Sequence, residues 1–273
     1  MKNSYYQIPA EKLGEGAKLP MICLGDSGEV FYELALEICK VIRDHNAANR
    51  HSVIILPVGP VGQYPILTRL INGEQLSLRD CWFINMDEYL TDEKEWIDSA
   101  SHLSFRGFMN REFYGKIDAD LLPPQEQRVF PDPKALERIP KLIEELGGVD
   151  LAVGGIGITG HLAFNEPDPS VSPEAFAERT VRVLEIAPET RATNCEGDLG
   201  GALEEMPRYC VTIGMKEILS AKRIRLAVFR DWHRAVCRRA AYGEVSASFP
   251  ATLAQRHPDA LLYVNSNAAR LPF

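Results

Sequence analysis

Leu151-Ala-Val-Gly-Gly-Ile-Gly-Ile-Thr-Gly-His-Leu-Ala-Phe-Asn-Glu-Pro167 begins as a short apolar run and passes at once into four glycines within residues 154–160. A run of that kind reads as a strand buried on both faces, and glycines directly after it let the backbone turn sharply and approach a ligand closely. Outward from this stretch the pattern repeats. Short apolar runs occur at 52–58, 81–86, 209–213, 224–229 and 261–264, besides 151–153 itself. Between them apolar residues recur at helical spacing. Val30, Leu34, Ile38 and Val41 follow the N-cap signal Asp26-Ser27, and Ala135, Ile139, Leu142, Ile143 and Leu146 precede Gly147-Gly148. Strands alternating with helices predict an α/β fold, a mostly parallel, doubly wound, Rossmann-like sheet flanked by helices. No internal repeat, low-complexity segment or long linker divides the chain. Residues 1–24 are therefore expected to be an N-terminal extension and residues 25–273 a single α/β domain.

In such sheets ligands bind beyond the C-terminal ends of the strands, where the strand order switches. Three polar segments follow strands in that way: 57–64, 85–89 and 154–167. Within the third, Gly155, Gly157 and Gly160 match the spacing of a dinucleotide fingerprint, but Pro167 stands where the fingerprint's helix should continue, so no nicotinamide cofactor is expected. His161 and Glu166 on the same loop make a different pair: an imidazole, suited to moving a proton near neutral pH, and a carboxylate placed to orient it. The residues alone leave a second reading open, a loop histidine bonded to backbone. In the second segment Asp87 and Glu88 close an apolar run, and side-chain alternation along a strand turns one toward the crevice and the other away. A crevice carboxylate suits a general base that removes a proton beside a carbonyl; the competing reading is a helix cap or a turn. No matching Asp/His cluster accompanies them, and no metal is expected.

Composition bounds the partners. Lys+Arg 30 against Asp+Glu 38 give a net charge of −8, which repels phosphate backbones and anionic membranes, so neither nucleic acid nor a membrane is an expected partner. Residues 1–19 lack the apolar core of about 7–15 residues that a secretory signal needs, and no stretch approaches the roughly 18–20 apolar residues of a membrane helix, so a cytoplasmic protein is expected. The six cysteines include no C-x-x-C pair and read as reduced core residues.

Taken in order, Phe83-Ile-Asn-Met-Asp-Glu-Tyr89, the 104–114 segment with its Phe-Met-Asn-Arg core, Gly157-Ile-Thr-Gly-His-Leu-Ala-Phe-Asn-Glu-Pro167 and Thr190-Arg-Ala-Thr-Asn194 resemble the motifs of glucosamine-6-phosphate deaminases. The resemblance runs from about residue 52 to about residue 264. It implies a modified doubly wound α/β fold, shared with 6-phosphogluconolactonases, although Asn-Met-Asp-Glu-Tyr and Phe-Asn-Glu-Pro match the deaminase pattern better. It implies cofactor-independent conversion of an amino-sugar 6-phosphate, glucosamine or galactosamine 6-phosphate, to a ketose 6-phosphate and ammonia. Asp87 would be the base acting between C2 and C1, with His161 assisting ring opening and Glu166 tuning the imidazole. Homo-oligomers are common in that family, though no stretch of this chain marks an interface.

The chain also departs from the pattern. Thr159 replaces an acid beside His161, removing a charge that would stabilise an imidazolium. In the phosphate loop, Val58-Gly-Pro-Val-Gly62 replaces a Thr-Gly-Gly-Thr/Ser type, leaving Gly59, Val61 and Gly62 with few donors. Glu196 stands where the family has Arg, and His233 where it has Lys. Arg230, Arg234 and Arg238, spaced at i, i+4 and i+8 across a strand-to-helix junction near Asp231, are candidates to compensate, with a solvated basic stripe as the competing reading. Arg106 is a further candidate. The expected substrate-binding set is thus Gly59, Val61, Gly62, Glu88, Gly157, Gly160, Glu196, Arg230, His233 and Arg234. The alternatives to a phosphorylated amino sugar are a different or non-phosphorylated sugar, or a catalytically impaired sugar-binding protein.

Overall fold

The computed structural model describes residues 4–273. Among these residues ten strands form two sheets: β1 (Met21–Leu24), β2 (Ser52–Leu56), β3 (Cys81–Asn85), β4 (Asp87–Leu90), β5 (Arg128–Val129), β6 (Leu151–Gly155), β7 (Arg182–Glu185), β8 (Tyr209–Thr212), β9 (Ile224–Val228) and β10 (Ala260–Asn265). The main sheet has seven strands, all parallel, in the order β1-β10-β9-β6-β2-β3-β5. Successive residues of β2 divide between two cores. Val53 and Ile55 pack with Ile224, Leu226 and Leu262 on one face, while Ile54 and Leu56 pack with Leu34, Ile38 and Ile42 on the other. Burial on both faces is why these strands are apolar throughout.

The helix Ser27–Ala47 supplies that second face. Asp26 caps it, its carboxylate accepting from Glu29 N at 2.9 Å, and Val30, Leu34, Ile38, Val41 and Ile42 form its buried stripe.

Two expectations need correction. The apolar run at 209–213 is not in the main sheet: β8 lies at the centre of a small antiparallel sheet of order β4-β8-β7. Burial on both sides produces the same run in either sheet. Residues 21–24, assigned to an extension, are the edge strand β1 on β10. Ahead of it, residues 8–19 dock on the helix His233–Tyr242. Gly14 N bonds Tyr242 Oη at 2.7 Å, and the fully buried Arg238 holds the Ile8 carbonyl at 2.7 and 3.0 Å. Among the described residues no helix is long and apolar enough to cross a membrane. Cys23 on β1 is exposed, whereas Cys39, Cys81, Cys195, Cys210 and Cys237 are buried.

Candidate active site

From β2 the main sheet continues through β3 and β5 on one side and through β6, β9 and β10 on the other, so the chain reverses its direction of progress between β2 and β6. The loops that leave these two strands border a crevice of about 640 Å³. It is lined by the 58–62 loop after β2, Asp87 after β3, Gly157, His161 and Ala163 after β6, and Phe229 and Arg230 after β9.

Asp87 is placed by a change of sheet. Met86 carries the chain from β3 in the main sheet to β4 in the small one, and Asp87, the first residue of β4, faces the crevice while only 6% exposed. Burial holds its carboxyl well above the usual carboxylate range, with the charge of Glu88 adding to the effect. Glu88 points the other way, as alternation requires. Fully buried and outside the crevice lining, it accepts from Ser104 Oγ at 2.8 Å, from the backbone N–H groups of Tyr89, Phe105 and Arg106 at 2.9–3.0 Å, and from Arg106 Nε at 3.1 Å. It therefore anchors the wall that carries Ser104 and Phe105 and is not directed at a ligand.

The loop after β6 contains no helix before Pro173–Ala177, in keeping with the rejection of a dinucleotide fingerprint. His161 Nδ1 lies 2.9 Å from Thr159 Oγ1, 3.2 Å from Glu166 Oε2 and 3.3 Å from Thr190 Oγ1. Thr159 Oγ1 also donates to Glu166 Oε2 at 2.9 Å. Burial alone would raise the Glu166 carboxyl, but hydrogen bonds and charge from His161, with the Thr190 and Thr159 hydroxyls, outweigh it and hold the group below its ordinary value. An ionised Glu166 thus faces Nδ1, while Nε2 lies on the side of Gly157, which lines the crevice. Thr190 enters this network unforeseen, although it opens the Thr190–Asn194 motif; Asn194 lines the crevice, held by Tyr89 Oη at 3.0 Å.

Gly157 is required by contact. A Cβ there would stand 2.0 Å from His161 Nε2. Gly157→Ala is expected to displace the imidazole and lower kcat/KM about 10²-fold, the penalty typical of a misplacement near 1 Å. Steady-state kinetics beside a circular dichroism spectrum that confirms the native fold would check this. Gly160 lies outside the crevice lining, packed under the Phe249 ring, so its role is to shape the turn.

The expected cations separate. Arg230 lines the crevice and is exposed. Arg234 is drawn away, bonded to Asn267 Oδ1 at 2.9 Å and paired with Asp231 at 3.2 Å. Arg238 is consumed by the carbonyls of Ile8, Arg234, Ala269 and Arg270. His233 reaches the crevice but is buried, its Nδ1 accepting from Phe229 N and Arg230 N at 2.9 and 2.8 Å and its Nε2 donating to the Ile156 carbonyl at 3.0 Å. Burial drives its pKa down to about 3, so it carries no charge at neutral pH. Glu196 is exposed and outside the lining, while Asp198, two residues on, is in it. No group of three or more His, Cys, Asp or Glu side chains among the described residues is arranged to hold a metal ion.

No family model matches the chain. A glucosamine-6-phosphate deaminase of Bacillus velezensis is 30% identical over 247 residues, covering 88% of this chain and 95% of the relative. The chain belongs to the glucosamine-6-phosphate deaminase family. Glucosamine-6-phosphate deaminase 1 of Bacillus subtilis is 28% identical over 251 residues, or 89% of this chain and 97% of the relative. A solved structure described as a monomeric glucosamine-6-phosphate deaminase superposes with a TM-score of 0.80 at 26% identity, covering 92% of this chain and 99% of the other. The 6-phosphogluconolactonase of Trypanosoma brucei, at TM-score 0.65 and 15% identity over 91% of this chain and 97% of its own, shares the fold. In this member of the deaminase family Asp87 and His161 line one crevice, with Glu166 behind the imidazole at Nδ1.

Proposed function

We propose that this enzyme isomerises and deaminates an amino sugar. His161 passes a proton between the sugar's anomeric hydroxyl and its ring oxygen, opening the ring, while the Glu166 carboxylate and the Thr159 and Thr190 hydroxyls hold the imidazole through Nδ1. Asp87 then removes the proton from C2 of the open-chain aldehyde while O1 takes up a proton, giving an enolamine, and returns the C2 proton to C1 as the amino group gives up a proton in turn. The product is an imine at C2; water adds there, and ammonia leaves as the ketose carbonyl forms. Amino sugar and water become ketose and ammonia. Hydrogen moves as a proton, so the reaction is redox-neutral and needs no redox cofactor.

The observation that supports this reading is the crevice-facing, high-pKa carboxylate of Asp87 opening onto the same space as His161, the acid and base that the two proton transfers demand. Thr159 supports an active enzyme over an impaired binding protein, because its hydroxyl still bridges His161 and Glu166. The relatives' names make glucosamine 6-phosphate the first compound to assay, followed by galactosamine 6-phosphate and the free hexosamines. Equal amounts of ammonia and ketose are the expected products. Binding of these sugars with no product from any of them would reject the reading and leave the impaired-protein alternative.

A further inference from the structure

Resting on the deamination reading, we propose that Arg230 is the side chain that selects the phosphate end of the sugar, and that His233 is the positioning residue that sets Arg230 in place.

A phosphate monoester brings a charge of about −1.5 to −2 and three strong acceptors, so it is held where a cation meets several free donors. Arg230 is the one Lys or Arg side chain in the crevice lining among the described residues. Its guanidinium stands 5.9 Å from the centroid of the Phe229 ring and forms no hydrogen bond or ion pair among those residues. The helix Pro188–Asp198 ends beside it, where a Cβ on Gly197 would lie 3.6 Å from Arg230 Nη1. Desolvation raises the carboxyl of Asp198, in the same lining, against the charge of Arg230 and then of His102. Asp198 pairs with neither, so the five guanidinium N–H groups stay open, and the exposed His102 brings a ring N–H to the same part of the crevice.

Backbone donors stand at the wall that Phe229 joins to Arg230. The Phe229 ring meets Phe31 edge to face at 5.0 Å, and Phe31 lies against Gly62, where a Cβ would fall 2.2 Å from the ring. That contact keeps the turn bare. The N–H groups of Gly59, Val61 and Gly62, all in the lining, make no hydrogen bond among the described residues, and no side chain caps the helix Gln63–Glu74 that starts here. Free N–H groups at a helix start favour an anion, and Arg230 adds the full charge that the turn lacks.

His233 decides where that charge is carried. Its Nδ1 accepts from Phe229 N and Arg230 N at 2.9 and 2.8 Å, and its Nε2 donates to the Ile156 carbonyl at 3.0 Å. Two adjacent N–H groups converging on one nitrogen fix the backbone at residue 230. The bond to Ile156 ties that corner to the loop that carries Gly157 and His161. With both ring nitrogens engaged, His233 acts on the sugar through Arg230.

The test is binding and turnover by the intact chain. Arg230→Gln, at an exposed position, is expected to raise the Kd of inorganic phosphate and the KM of glucosamine 6-phosphate by about tenfold or more, the loss typical of a charged hydrogen-bond partner, with a smaller change in kcat. Arg230→Lys should recover part of the loss, because it restores the charge without the planar fork. His233→Ala should raise the same two constants, and in the Arg230→Gln background it should add little, since the side chain it positions is gone. Unchanged constants in Arg230→Gln would overturn the role of Arg230, and additive effects of the two substitutions would overturn that of His233. A wild-type chain that releases no ammonia would reject the deaminase reading, and the phosphate Kd would still decide on Arg230.

Discussion

Asp87→Asn loses turnover and gains stability. The amide keeps the shape of the carboxyl and cannot take the C2 proton, so kcat is expected to fall by about 10²–10⁴-fold, the range that a positioned general base contributes. KM should change little, because the wall that holds the sugar is untouched. The stability effect follows from burial. Folding moves the Asp87 carboxyl to a place where its ionised form is disfavoured by desolvation and by the charge of Glu88. A group whose pKa is raised on folding contributes stability that is fully present below its unfolded value, near 4, and lost as pH rises through its folded value. At neutral pH wild type therefore bears the cost of burying a carboxyl that is ionised in the unfolded chain, and the asparagine variant does not. Asp87→Asn should melt above wild type at pH 7–8, and the gap should close as the pH is lowered toward 4. A variant that kept its turnover, or melted lower at pH 8, would reject Asp87 as the buried base. The same raised pKa predicts that wild-type kcat/KM declines on the acid side well before the usual carboxylate range, because only ionised Asp87 accepts the proton.

Trading stability for chemistry at Asp87 bears on what the sequence discloses. The alternation that set Asp87 toward the crevice and Glu88 away from it was legible, since a strand offers two sides and the apolar run from Cys81 marks the strand. So were the 27–47 helix and the main-sheet strands, whose periods follow from burial. Met21–Leu24 was not legible as a strand. An edge strand of four residues with mixed exposure has no apolar alternation to reveal it. Tyr209–Thr212 was legible as a strand and not as a member of the small sheet, because partner choice depends on where Met86 sends the chain. The arginine stripe shows the limit most clearly. Equal spacing in sequence became three different fates, with Arg230 in the crevice, Arg234 on Asn267 and Arg238 buried among carbonyls. The charge of His233 was equally hidden, since it depends on two backbone N–H groups that only the folded turn directs at Nδ1.

Glu88→Gln is expected to cost about as much as breaking a buried ion pair, roughly 3–5 kcal/mol of folding stability, although it is nearly isosteric. The reason is the donor count. Glu88 Oε1 accepts from Tyr89 N and Phe105 N, and Oε2 accepts from Ser104 Oγ, Arg106 N and Arg106 Nε. A glutamine must turn its NH₂ toward one of these sets, so donors face donors whichever way the amide lies, and Arg106 loses its carboxylate partner. Ser104 also caps the short helix Phe105–Phe108, accepting from Gly107 N at 3.1 Å, so the disturbance passes into the wall that carries His102, Phe105 and Phe108 to the crevice. Urea unfolding should show the loss in midpoint. Kinetics should show a raised KM with a smaller change in kcat, because the wall loosens while Asp87 and His161 keep their partners. Arg106→Gln removes the charge that Glu88→Gln strands, so the double variant should cost less than the sum of the two singles, a coupling that residues in direct contact show and distant ones do not. Additive costs, with KM unmoved, would mean that Glu88 does not tie this wall to the site.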